Sequence, residues 1–164
     1  MDIEMVVLRL LHVVLGVFWV GSVLFTFLLL QPAARDAGPA GNQVMQKLMA
    51  RKLPVWMMVS AVLTILAGLR LYWRVSGGGN PLWMHSAFGR VISIGAAAAI
   101  IGFAGGMVIT MPAARKLGAV LQAGDAAQRG PEIAALQRRM AAGGQFTAVL
   151  LLIAIICMAV ARYA

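Results

Sequence analysis

Four apolar runs dominate the chain, at residues 10–30, 53–72, 91–111 and 146–161. A helix needs about 20 residues to cross the hydrocarbon core of a bilayer. The first three runs meet that length, and Ala141 and Ala142 extend the shorter fourth. Polar and charged residues gather between the runs, and no Asp or Glu lies inside one. The pattern predicts an all-α, polytopic membrane protein. Residues 1–164 form one four-transmembrane-helix bundle with antiparallel neighbours and both termini on one side. The first run is too long for a signal peptide and lacks its small-residue cleavage pattern, so it is expected to be retained.

Shorter elements are expected between the runs. Val44, Leu48, Ala50 and Leu53 approximate one helical face. Pro131-Glu132, followed by Ile133-Ala134-Ala135-Leu136, has the Pro and the acid of a helix N-terminus. Each long loop is therefore expected to hold a short amphipathic helix. Gly77-Gly78-Gly79-Asn80 predicts a flexible turn. The first run leaves through Gln31-Pro32-Ala33-Ala34-Arg35 and the third through Met111-Pro112-Ala113-Ala114-Arg115, so both prolines are expected at helix exits. A Gly follows three residues after each Arg. Two halves in parallel orientation would explain the repetition; so would the frequency of Pro, Ala and Arg at helix ends. Ala98, Gly102 and Gly106 form a small-residue stripe for close helix packing, and Gly16 and Gly21 thin the first helix.

Composition agrees, with 62% hydrophobic and 12% charged residues. The net charge of +9 would point to nucleic acid in a soluble domain. Here the basic residues flank membrane helices, where headgroups account for them, so no nucleic-acid partner is expected. Arg35, Lys47, Arg51 and Lys52 lie in the 31–52 loop; Arg115, Lys116, Arg129, Arg138 and Arg139 lie in the 112–145 loop. These make nine of the 14 basic residues. The remainder, Arg9, Arg70, Arg74, Arg90 and Arg162, fall on the opposite side. The imbalance predicts cytoplasmic long loops and outer termini. Tyr72, Trp73, Trp83 and Tyr163 mark the outer interface as an aromatic belt. Cys157 is the only cysteine, so no intrachain disulfide forms.

Candidate chemistry centres on two histidines, His12 and His85. An imidazole inside a membrane run is costly and marks a functional candidate. His12, Gly16, Trp19 and Val23 recur at helical spacing, and that face is expected to point into the bundle. His85 lies in Trp83-Met84-His85, before the third run. Arg9, Arg70, Arg74 and Arg90 gather at the outer end. Arg is the natural partner of carboxylates such as haem propionates, and snorkelling to phosphate headgroups is the alternative. If Pro32 and Pro112 share a depth, His85 stands about 10 Å above His12. A bis-histidine haem then needs an inclined axis; a single-His site and a metal elsewhere are the alternatives. Imidazole suits iron, copper or zinc. Eleven methionines raise a Cu(I) reading, but only Met84 adjoins a histidine, and core filling explains the others. Catalytic triads, phosphate loops and zinc motifs are absent. The lack of intramembrane carboxylates argues against a proton-coupled transporter of the usual kind.

Leu11-His12, Phe18-Trp19-Val20-Gly21 and Pro32 resemble the first-helix signature of a superfamily of four-helix bacterial membrane proteins. It includes membrane-bound protoporphyrinogen oxidases of the HemJ type and CopD-type copper-resistance domains. Met45 with Leu48-Met49-Ala50-Arg51-Lys52-Leu53, and Leu63-Thr64-Ile65-Leu66-Ala67-Gly68-Leu69, continue the resemblance, as does Trp83-Met84-His85. The similarity covers roughly residues 9–110. It implies a bacterial inner-membrane location and haem b ligation by His12. The HemJ type carries an essential Lys shortly after its Trp-x-His, where this chain has Ser86-Ala87-Phe88-Gly89-Arg90. CopD-type domains usually offer more metal ligands than two histidines.

Two classes of function follow. One is a haem-b redox protein, an oxidoreductase or electron carrier at the outer side of the bilayer, with His12, His85, Arg9, Arg70, Arg74, Arg90, Gly16 and Trp19 around the cofactor. The other is a non-catalytic membrane subunit or copper-handling protein, with His12 and His85 as copper ligands or structural groups. The partners expected are the lipid bilayer and either a second copy of the chain or a membrane redox protein.

Overall fold

Two prolines expected to end helices are instead carried through them. In the computed structural model, which describes residues 2–123 and 129–164, the first span runs Ile3–Asp36 and the third Ala87–Gln122. Each widens to π-helical winding just before its proline, over Phe25–Leu30 and Gly106–Thr110. Proline has no N–H to give the i−4 carbonyl, and its ring clashes with it. A wider turn moves that carbonyl aside: Gln31 N–H donates to Thr26 O, and Met111 N–H to Gly106 O. The two Pro-Ala-Ala-Arg segments thus share local geometry as well as sequence.

The second span is Leu53–Val75 and the fourth Gly130–Tyr163. Every described element is helical, and four helices are long and apolar enough to cross a bilayer. This is the architecture of an all-α, multi-pass membrane protein. The first span has 34 residues, about 51 Å of helix against about 30 Å of hydrocarbon, so it projects beyond the core.

Of the two loop helices expected, one forms as a separate element, Pro39–Ala50. The other is corrected. Pro131 does sit in a first helical turn, but that turn opens the fourth span itself, which runs on without a break. No polar breaker separates the two segments; Ala141, Ala142, Gly143 and Gly144 continue the helix. Ala113 and Val120 of the third span pack there against Leu136 of the fourth. Glu132 accepts ion pairs from Arg129 at 2.8 Å and Lys116 at 3.3 Å, fastening that end.

The spans pair as two hairpins, first with second and third with fourth. Small residues bring the second pair together. A Cβ on Gly95 would come within 2.9 Å of Cys157 Cβ, and one on Gly102 within 3.3 Å of Leu150 Cβ. Thr147 Oγ1 donates to Gly102 O at 3.1 Å. The hairpins meet around Trp19, Val23, Ala61, Ala148 and Leu151. Phe103 meets Trp19 edge to face at 6.1 Å, and Phe27 sits directly on the backbone of Gly144.

Both chain ends lie at the other end of the bundle. Arg70 pairs with Glu4 at 2.7 Å, and Arg74 pairs with Asp2 and Glu4, tying the N-terminus to the end of the second span. The segment Ala161–Tyr163 packs on the third span. The intervening turn is built through its glycines. Gly77, Gly78 and Gly79 have φ of 63°, 81° and 86°, a left-handed run that other residues resist. Buried Ser76 accepts the Gly79 N–H at 2.9 Å and donates to Trp73 O at 3.2 Å.

Candidate functional site

Beyond the Trp19–Leu151 core the hairpins part. Gly16, Gly68, Ala96, Ala99 and Ala154 are too small to fill the gap, and a cavity of about 400 Å³ remains. That lies within the range of small-molecule and cofactor sites. Trp19 and Leu151 form its floor, and Tyr72, Trp83 and Phe88 line its end nearest the chain termini. His12 and Thr64 are the polar side chains at mid-depth.

His12 is half-buried, turned toward the second span. Its Nδ1 lies 2.9 Å from Thr64 O. A carbonyl only accepts, so Nδ1 carries the proton, and in the neutral ring Nε2 keeps a free lone pair. The imidazole rests against Gly68, where a Cβ would stand 2.7 Å from Cε1 and 2.9 Å from Nδ1. Thr64 Oγ1 is buried without a hydrogen-bond partner. A buried unpaired hydroxyl is uncommon, and this one belongs to the cavity wall.

The end nearest the termini is an aromatic cluster. Trp83 meets Tyr72 at 5.2 Å and Phe88 at 5.7 Å, both edge to face. Ser93 Oγ donates to Gly89 O at 2.7 Å, so Tyr72 OH donates to Ser93 Oγ at 2.8 Å.

The structure brings only part of the expected set together. His12, Gly16 and Trp19 line the cavity; His85, Arg9, Arg70, Arg74 and Arg90 do not. His85 ends a short helix, Pro81–His85, and is exposed. Ser86, in extended conformation, then caps the third span by accepting the Gly89 N–H. The turn at Ser86 sends Trp83 and Phe88 inward and leaves His85 outside. The pairing of His12 with His85 at one metal or haem is therefore not seen. Arg70 and Arg74 are engaged by Glu4 and Asp2, whereas Arg9 and Arg90 are exposed. Among the described residues no group of three or more His, Cys, Asp or Glu converges.

Thr64, Gly68 and Tyr72 belong to the cavity wall, a role the expected site did not include. Their signal was present: they recur every four residues, one stripe of the second span. The stripe acquires meaning only once His12 is known to face it. No protein-family model, curated protein or solved structure matches the chain.

Gly68→Ala tests this geometry. The added methyl drives the His12 ring off Thr64 O. In ¹⁵N-histidine-labelled protein, with His85→Gln to assign the two imidazoles, the protected Nδ1–H signal of His12 is expected in the parent and lost in Gly68→Ala. A retained signal would contradict the packing.

Proposed function

We propose that the chain is a haem-b-binding integral membrane protein, with His12 as the residue that would hold the iron and electron transfer as its role. One observation carries this reading: the imidazole is held through Nδ1–H by a backbone carbonyl, its Nε2 lone pair free, at an apolar cavity of cofactor size. Metal-ligating histidines are oriented by such a bond to the other nitrogen. The donor set fits the group. Imidazole is a haem ligand, and the aliphatic and aromatic walls suit a porphyrin face. Arg9, three residues before His12 on the same face of the first span, suits a propionate; Arg90 lies half a turn away from the lining residues Phe88 and Ile92, and Arg70 and Arg74 already hold carboxylates. When bound, haem supplies one-electron chemistry. The chain orients the ring of His12, excludes water, and neutralises acidic groups at the rim. The charge imbalance of the loops and the family resemblance support outer termini and the cytoplasmic membrane of a bacterium.

The test is spectroscopic. Protein purified in mild detergent from haem-sufficient cells is expected to carry a Soret band and about one haem b per chain by pyridine haemochrome. Colourless protein that binds no added hemin would overturn the reading, and copper retained in its place would favour the copper-handling alternative.

A further inference from the structure

The stripe that carries His12 is matched by one on the fourth span. His12 and Trp19 lie seven residues apart on the first span; Met158, Leu151 and Gly144 recur at the same interval on the fourth. Residues seven apart share a helix face. The two faces meet at known points. Phe27 sits on Gly144, and Trp19 and Leu151 share one core. The spans run antiparallel, so the register extends outward from there. His12 lies 15 residues beyond Phe27, about 22 Å, and Met158 lies 14 residues beyond Gly144, about 21 Å. They therefore reach the same level, and both line the same cavity. Among the described residues Met158 is the only methionine in that lining.

We infer that Met158 is the second axial ligand of the haem, giving histidine–methionine ligation between the first and fourth spans. The inference rests on the haem reading of the cavity. Three features support it. A flexible thioether on the far wall can adjust its reach. Among the described residues no other soft donor lines the cavity. His85, the other imidazole, is turned away outside it. Such ligation raises the reduction potential relative to a nitrogen-only set, which suits an electron carrier.

The experiment uses the full-length haem-loaded protein. The ferric form is expected to be low-spin, with the weak near-infrared charge-transfer band of a thioether–iron bond. Met158→Ala should keep its haem, become high-spin, lose that band and fall in midpoint potential. Met158→His should restore low spin without the band. Labelling with selenomethionine should shift the band in the unmutated chain, so the result stands even if a variant fails to fold. Haem bound with no near-infrared band, and a Met158→Ala spectrum like the parent's, would overturn the inference and leave His12 ligation intact. Absence of haem from the parent would overturn the haem reading itself.

Discussion

His12→Gly is expected to yield protein that folds and inserts but carries almost no haem, and millimolar free imidazole should restore the Soret band. Removing the ring opens space at the cavity wall and leaves Thr64 O with only its helical donor. No buried charge is stranded, so the fold tolerates the loss. The ligand, by contrast, has no substitute of its own kind: His85 is outside on the short Pro81–His85 helix. Haem content by pyridine haemochrome, against circular dichroism and gel-filtration behaviour, separates the two effects. Haem loading at the parent level would exclude His12 as ligand. Rescue by imidazole distinguishes a missing ligand from a collapsed cavity. His85→Gln should leave loading and spin state unchanged, because its side chain does not reach the lining.

Gly144→Val is expected to destabilise the junction between the two hairpins strongly. A Cβ at this position would fall 2.0 Å from Cδ1 and 2.1 Å from Cε1 of Phe27. Both neighbours are fixed parts of spanning helices, so the collision cannot be relieved by a side-chain tip alone. Overpacking of a well-filled site costs about 1–3 kcal/mol, occasionally more. Val exceeds a single methyl, and about 3 kcal/mol or more is expected here. The junction between the hairpins should open and carry the cavity floor, Trp19 and Leu151, with it. Thermal unfolding in detergent should fall by many degrees, and haem affinity with it. Gly21→Ala supplies the control, since nothing lies within 4 Å of its added Cβ. Its stability should match the parent's. Equal behaviour of Gly144→Val and Gly21→Ala would remove Phe27–Gly144 as the hairpin junction.

The amino-acid sequence by itself determined the class of the protein. Apolar runs free of Asp and Glu leave a chain no better way to satisfy its backbone than helices in a bilayer. That constraint is local, so four spans could be counted residue by residue. The inward face of His12 was equally legible, because Gly16, Trp19 and Val23 repeat with it at helical spacing and an imidazole is disfavoured in lipid. What a proline does depends on the turn before it, and only the structure showed that π-helical winding at Phe25–Leu30 and Gly106–Thr110 carries both helices onward. The arginines near the end that holds the termini looked equivalent in sequence. Asp2 and Glu4, some 70 positions away, decided that Arg70 and Arg74 are occupied, while Arg9 and Arg90 are exposed with no ion pair among the described residues. His85 shared its composition argument with His12, but the extended backbone of Ser86 turned it out of the bundle. The cavity itself is a property of no single run. It arises where small residues from four helices fall at one height, and that coincidence is set by helix packing, which periodicity along one chain does not encode.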